Sequence, residues 1–455
     1  MSRGPFAAAS LLAAASLGAC APVATLMPPQ ALLPADTFSE PIAVSTATEA
    51  NWWTKGGDHT LSDLVSTAGD VGVVAVAEAR LAEAAALARV ATAARGPGIG
   101  VSLQQSVALP DGDAAVGASL ARLDAILPVD AFGALEARGV AAVLRVQQSE
   151  AELEDIRLRA RISAARLYVA IRSAQAQQAA AARSLAAAEA LLGLAAAREA
   201  AGLGSGLETA QARTAVERAR AALPGLQLAE RQGILALEAL LGRQVSLDAD
   251  TGGSRDLPHF GARELLIGPA AMVVERPDLR AATARLQAAG LDALAARADR
   301  YPALNLTAVL TASDARFSPS SQTAELGLGL VGVLFDQGRL GALVDAASAR
   351  ERAALEAWLQ AVRDAFAEVE TQLEALRRAE DSLQLQANLR VAATDEVSLA
   401  RARHAAGLAD FSEVLLAEQT LAEAERGLIV ADTDRANAEL GLLLALGAGS
   451  ARSSG

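Results

Sequence analysis

Residues 303–314 read ALNLTAVLTASD. Leu304, Leu306, Ala308 and Leu310 alternate with Asn305, Thr307, Val309 and Thr311, so an extended chain puts the first set on one face and the second on the other. One face is apolar and the other is mostly polar. The run also has the length, about 9–11 residues, at which a tilted strand crosses a bilayer. A lone run of this kind fits one arm of a soluble antiparallel hairpin as well, so what surrounds it decides between the two.

The run occurs twice. GIGVSLQQSVAL (98–109) stands 205 residues upstream, and Ile99, Val101 and Leu103 alternate there with Gly100, Ser102 and Gln104. Each copy is followed by a second alternating run, VGASLARLDAIL (116–127) and AELGLGLVGVLF (324–335), across the loops LPDGDAA and ARFSPSSQT. The same offset links Ala79-Arg80-Leu81 to Ala284-Arg285-Leu286, Pro97 to Pro302, Ala201-Gly202-Leu203 to Ala406-Gly407-Leu408, Glu208 to Glu413, and Leu241-Gly242 to Leu446-Gly447. A constant offset across separate segments marks an internal duplication. It divides the chain into a first repeat, 58–248, a linker, 249–261, a second repeat, 262–447, and a tail, 448–455.

Each repeat opens with a helix of moderate length, about 60–95 and 275–299, the second begun by Arg276-Pro277-Asp278 with Pro near the helix start. After the strands comes a far longer helix. Leu355, Leu359, Val362, Phe366, Val369, Leu373 and Leu376 step by four and three, a heptad seam within a helix running from about Leu340 to His404. At 1.5 Å per residue that helix is about 100 Å long, too long for a compact globule. Its counterpart, about Leu135 to Ala201, carries a seam of smaller residues: Leu153, Ile156, Ala160, Ser163, Leu167 and Ala170. Gly202 and Gly407 then act as left-handed helix stops. Ser205 is the candidate cap of one following helix, and Ser412 or Asp410 of the other. Each Gly-Leu pair is thus the tip of an antiparallel helical hairpin.

Composition agrees with a small-residue helical shaft. The 455 residues are 52% hydrophobic but only 3% aromatic, which means close packing through Ala, Leu and Val. The net charge of −13 and the lack of a basic run argue against a nucleic-acid partner. His59, His259 and His404 have no metal-ligand spacing, and no nucleophile, base and orienting acid form a set, so no catalytic or metal residues and no enzyme activity are expected. Gly327-Leu328-Gly329-Leu330-Val331-Gly332 spells a dinucleotide fingerprint, but its glycines lie inside an alternating run instead of opening a helix. Trp52-Trp53 fits either a membrane-interface anchor or a packing contact, the latter preferred.

At the N-terminus Arg3 and the apolar run Phe6–Leu17 form a secretory signal, residues 1–19, too short for a membrane span. Leu17-Gly18-Ala19-Cys20 resembles the bacterial lipoprotein box, and Cys20 is the single cysteine. That resemblance implies a covalent lipid on Cys20, a lipidated leader over 20–57 and, with Ala21 in place of Asp, an outer-membrane address. Beyond residue 20 no stretch reaches 18 consecutive apolar residues, so a crossing has to be made by strands. Four strands cannot close a barrel, which needs at least about eight, and an open edge in lipid leaves backbone groups unsatisfied. Two copies give eight strands with a filled interior; three give twelve with room for a channel.

The residues together resemble the TolC-like outer-membrane efflux proteins, in particular the lipoprotein branch that serves resistance-nodulation-division pumps. The matching pieces are Cys20, Trp52-Trp53, Phe132-Gly133, Arg276-Pro277-Asp278-Leu279, Tyr301-Pro302, Leu334-Phe335-Asp336-Gln337-Gly338-Arg339-Leu340 and the paired Ala-Gly-Leu tips. The resemblance implies a mostly α protein with a membrane β-barrel, closed as a homotrimer with twelve strands above a twelve-helix barrel. It implies that Ala201, Gly202, Leu203, Ala406, Gly407 and Leu408 contact a periplasmic adaptor protein, which links to an inner-membrane pump. Family members close the periplasmic end with acids after the second tip; Glu413 falls at one such position, and Leu416 where many carry Asp. Glu413 is equally placed as an ordinary helix-start acid. The competing expectation is a lipid-tethered periplasmic coiled-coil scaffold whose strands form a small soluble sheet.

Overall fold

The computed structural model describes residues 38, 51–55, 57–108, 116–247, 257–265, 268–315 and 318–448. Cys20, the signal segment, the LPDGDAA loop and most of the linker lie outside the described residues.

The first repeat comprises α1 (His59–Ala68), α2 (Val73–Ala93), β1 (Gly98–Ala108), β2 (Val116–Val129), α3 (Ala134–Ala200) and α4 (Gly206–Leu241). The second comprises α5 (Pro269–Glu275), α6 (Pro277–Ala298), β3 (Ala303–Ala315), β4 (Ser318–Val331), α7 (Arg339–Ala405) and α8 (Phe411–Leu446). Ala134 and Arg339, Ala200 and Ala405, Gly206 and Phe411, and Leu241 and Leu446 are each 205 apart. The duplication is therefore structural as well as textual. α3 and α7 have 67 residues each and α4 and α8 have 36, so the long helices extend about 100 Å and their return partners about half that.

Helices of this length gain most of their stability from packed faces rather than from propensity. α3 is flanked by α4 along its C-terminal half and by α2 and α6 along its N-terminal half. α7 packs against α6 and α8. The main core sits where the middles of α3 and α7 meet α1, the segment 257–262 and the end of α8. Trp52, Tyr168, Phe260, Trp358 and Leu440 fill it, and Trp52 meets Trp53 and Phe260 edge-on at 5.4 and 5.5 Å. Trp52 and Trp53 are thus packing residues. A smaller core of Leu191, Ala195, Ala212, Val397, Phe411 and Val414 joins the two hairpins near their tips.

The two halves are also joined by a heptad ladder. Arg138, Arg145 and Glu152 on α3 face Asp299, the residue that ends antiparallel α6, and Asp292 and Arg285 within it. Both partners step by seven in opposite directions, which keeps every pair on the shared seam. The charges were visible in the sequence, but only the pairing of α3 with the other repeat's helix aligns them.

Several expectations need correction. The helix expected over 60–95 is broken at Gly69-Asp70-Val71-Gly72, where two glycines weaken the helix and Gly72 takes φ +26°. In the α3 seam Leu153 and Ala160 are buried and Ile156 and Leu167 pack against buried clusters, but Ser163 and Ala170 are exposed, and the main core also takes Leu158, Ile162, Ala165 and Val169. The α7 seam holds, with Val362, Val369, Leu373 and Leu376 buried and Leu355, Leu359 and Phe366 packed on them. One 18-residue window of α3 has the length and composition of a membrane span, although it is no run of consecutive apolar residues.

Candidate functional site

The four strands form one antiparallel sheet in the order β1-β2-β3-β4. Residues paired across antiparallel strands share a face, so the register settles which side chains gather. Ile99, Ala125, Ala308 and Leu326 form one row; Val101, Leu123, Leu310 and Ala324 form the next. Leu304, Leu306, Leu328 and Leu330 continue the same face. The opposite face carries Ser102, Gln104, Asn305, Thr307, Thr311, Ser321 and Thr323. Leu326, Leu328 and Leu330 are 69–78% exposed, so none of the described residues covers them. A soluble sheet buries such a face against a second layer. This one is built for an apolar solvent.

β1 and β4 are both edges and present unpaired backbone groups. At the helical end each strand-to-helix junction is fixed by an aspartate. Asp130 accepts from the Glu136 N–H at 2.7 Å, and Asp336 accepts from the N–H groups of Gly338 and Leu340 at 3.0 and 2.9 Å. These caps hold the long helices in line below the sheet.

The far ends of the hairpins are matching tips. Gly202 and Gly407 have φ of +70° and +73°. Leu203 N–H donates to Arg198 O at 2.8 Å and Leu408 N–H to Arg403 O at 2.9 Å, the six-to-one bond of a left-handed helix stop. Ser205 caps α4 by accepting from the Glu208 N–H. Asp410, and not Ser412, holds the cap position of α8, and its side chain makes no capping bond. Leu203 and Leu408 are more than 70% exposed. Ala201 and Ala406 are also exposed beside them.

Glu413 lies in the first turn of α8, half exposed, with a carboxylate oxygen 3.5 Å from an Arg403 guanidinium nitrogen. Leu416, three residues on, is exposed. Arg403 as a partner of Glu413 was not foreseen, although its position one turn before the Gly407 stop was a usable signal. His404 also joins the tip, its Nδ1 being 3.0 Å from Ala409 O and its ring edge-on to Phe411. His59, His259 and His404 are not brought together, and among the described residues no group of His, Cys, Asp and Glu could hold a metal ion.

Polar contacts lock the middle of the shaft. Arg276 is 5% exposed; it forms a two-pronged pair with Asp278 and reaches Glu368 and Ala445 O. Burial opposes the charge on Asp278, but the hydrogen bonds and charge of Arg276 outweigh it and hold the carboxyl below its ordinary value. Burial pushes the Tyr168 phenol up to about 12, helped by its hydrogen bond to Asp58. Burial likewise raises Glu439, against the Phe260 N–H, Arg435 and His259. Through Glu439 the segment around His259 and Phe260 is latched to α8.

A sheet with one lipid-compatible face and two open edges, capped onto paired helices of about 100 Å, defines a barrel-forming shaft protein with an internal repeat. The chain belongs to the outer membrane efflux protein family, whose pattern matches residues 73–243 and 269–448. It is similar to the pyoverdine export outer membrane protein OpmQ of Pseudomonas aeruginosa, 30% identical over 233 residues that make up 50% of this chain and 49% of that protein. It is also similar to the cation efflux system protein CusC of Escherichia coli, 32% identical over 234 residues, 49% of this chain and 50% of the relative. The chain spans about half the length of the curated relatives it matches. Its fold is shared with the outer-membrane channel OprN, at TM-score 0.82 and 24% identity over 94% of this chain and 99% of that one.

Proposed function

We propose that the protein is the outer-membrane exit duct of a tripartite efflux system. The observation that carries this is the sheet register: one apolar face open to the surroundings, one polar face, and two unpaired edges at the head of a long helical shaft. Edges in lipid must be paired, and identical copies supply the partners. Three copies close twelve strands around a lumen and set the hairpins side by side as a tube reaching into the periplasm. The exposed tips Ala201-Gly202-Leu203 and Ala406-Gly407-Leu408 then meet a periplasmic adaptor protein, through which an inner-membrane pump loads the duct. Relatives named for pyoverdine export and for cation efflux support a transport role.

In this assembly Cys20 carries the lipid, as its place after the signal run supports, and tethers the leader to the outer membrane. Glu413 lines the periplasmic opening. Carboxylates about 8 Å apart in water repel by only about 0.5 kcal/mol per pair, and Arg403 offsets part of that charge. Helix packing, with buried Phe411 and Val414 at the tip core, therefore does most of the closing.

The test is removal of the gene in a strain that also lacks related ducts, scored by susceptibility to a compound panel. Raised susceptibility, restored by the native gene, is the expected result; unchanged susceptibility rejects the proposal. Cys20→Ser separates it from the tethered scaffold. A barrel stays in the detergent fraction with heat-modifiable migration, whereas a scaffold is released as soluble protein.

A further inference from the structure

The middle of the sheet holds charges that neither a lipid-facing surface nor the helical shaft explains. Gly100, Asp124, Val309 and Glu325 form one cross-strand row, and Ser102, Arg122, Thr311 and Thr323 the next. Both rows belong to the polar face. Arg122, Asp124 and Glu325 are the charged residues of that face among the described strand positions, and none forms an ion pair with another described residue of the chain. Asp124 and Glu325 flank Val309 from either side. Gly100 leaves room for the first of them: a Cβ there would stand 3.0 Å from Asp124 Oδ2 and 3.4 Å from its Cγ, so the carboxylate leans across β1 toward the sheet edge. Glycine weakens a strand interior; here it clears space for a charged group to spread over the face. Arg122 lies two residues, about 7 Å, farther from the helices. A solute rising from the shaft meets the carboxylates first.

We propose that Arg122, Asp124 and Glu325 form a charge filter at mid-height of the barrel lumen, favouring cationic over anionic solutes. The filter rests on the barrel described above and goes beyond it by naming what the lumen selects. Each chain brings two carboxylates to one row and one guanidinium to the next row of the same face, so closure by identical copies leaves the ring negative. Within a lumen flanked by low-dielectric lipid such a ring concentrates counter-charged solutes. The guanidinium reduces this preference without reversing it.

The reporter is Val309→Cys, between the two carboxylates, Cys20 being the only native cysteine. In membrane fractions a cationic methanethiosulfonate is expected to modify the thiol at position 309 about tenfold faster than an anionic one of similar size, both rates normalised to a free small thiol. Adding D124N and E325Q leaves Arg122 as the charge of the ring and should reverse the preference, the anionic reagent becoming the faster of the two. Adding R122Q alone should widen the gap, a change of opposite sign that a general loss of structure does not produce. Thr311→Cys, in the adjoining row, repeats the measurement if the first reporter assembles poorly. Equal rates for the two reagents, or a ratio unmoved by D124N with E325Q, overturns the filter while leaving the barrel in place, since both reagents still reach the lumen. Leu310→Cys distinguishes the deeper failure: charged reagents that reach position 310 but not 309 overturn the barrel, and the filter with it.

Discussion

Single residues fix the two ends and the waist of the shaft. The tips were legible because a left-handed stop demands a residue without Cβ penalty, and Gly407 and Gly202 carry that demand in the sequence itself. Gly407→Ala should cost about 1 kcal/mol, felt locally. Amide exchange should quicken over residues 403–413 while the midpoint of thermal unfolding moves little. The waist was not legible, because Asp278 looks like any helix-start acid until Arg276 is seen buried against it. Its carboxyl is held low in the folded chain, so the pair stabilises above the unfolded value of about 3.9 and loses that contribution as pH falls through the lower folded value. Asp278→Asn should therefore flatten the acid limb of a stability-against-pH curve below about pH 4. Because Asp278 is 34% exposed, the loss at neutral pH should be only about 1 kcal/mol. An unchanged acid limb in D278N would assign the acid sensitivity elsewhere.

Elements were read well where one period governs them and poorly where two constraints compete. α3 and α7 match the expected 135–201 and 340–404 to within a residue at each end. The fourth strand did not: expected over 324–335, β4 runs Ser318–Val331. SPSSQT has turn composition, yet it pairs because the register shifts between Ser313 and Ala315, and a bulge tolerates Pro319 without a ladder N–H. At the other end alternation continues past Val331, but its partner Ala303 is preceded by Pro302 and the ladder stops. The register makes a sharp claim about faces. Leu328→Arg, on the apolar face, should cost about 2–4 kcal/mol in a bilayer, read as lost heat-modifiable species. Thr307→Arg, paired across from the neighbouring Gly327 on the polar face, should assemble normally. The α3–α6 ladder makes a second claim. Arg145→Asp or Asp292→Arg alone should each destabilise, and the exchanged pair should recover about 0.3–1 kcal/mol in a double-mutant cycle, as half-exposed ion pairs do.

At the scale of the whole molecule the sheet's open edges decide the assembly. The strand count was readable from the sequence, because alternating runs appear four times, two in each repeat; the strand order was not, since no residue pattern says which strands end as edges. With the order β1-β2-β3-β4, a ring of copies must pair β4 of one with β1 of the next, and the alternating directions make that pairing antiparallel. Within one chain these edges are three strand spacings apart, about 14 Å, beyond the roughly 7 Å limit for a disulfide. A bond between them can only join two copies. Ser102→Cys combined in turn with Thr323→Cys, Glu325→Cys or Gly327→Cys keeps both thiols on the polar face. At least one combination should form oxidant-dependent bands that climb to a covalent trimer and stop, because a closed ring of three has no further edge. Leu326→Cys with Ser102→Cys places the thiols on opposite faces and should give none. A ladder ending at the dimer would mean eight strands and a filled interior, and continued growth would mean an open fibre instead of a duct.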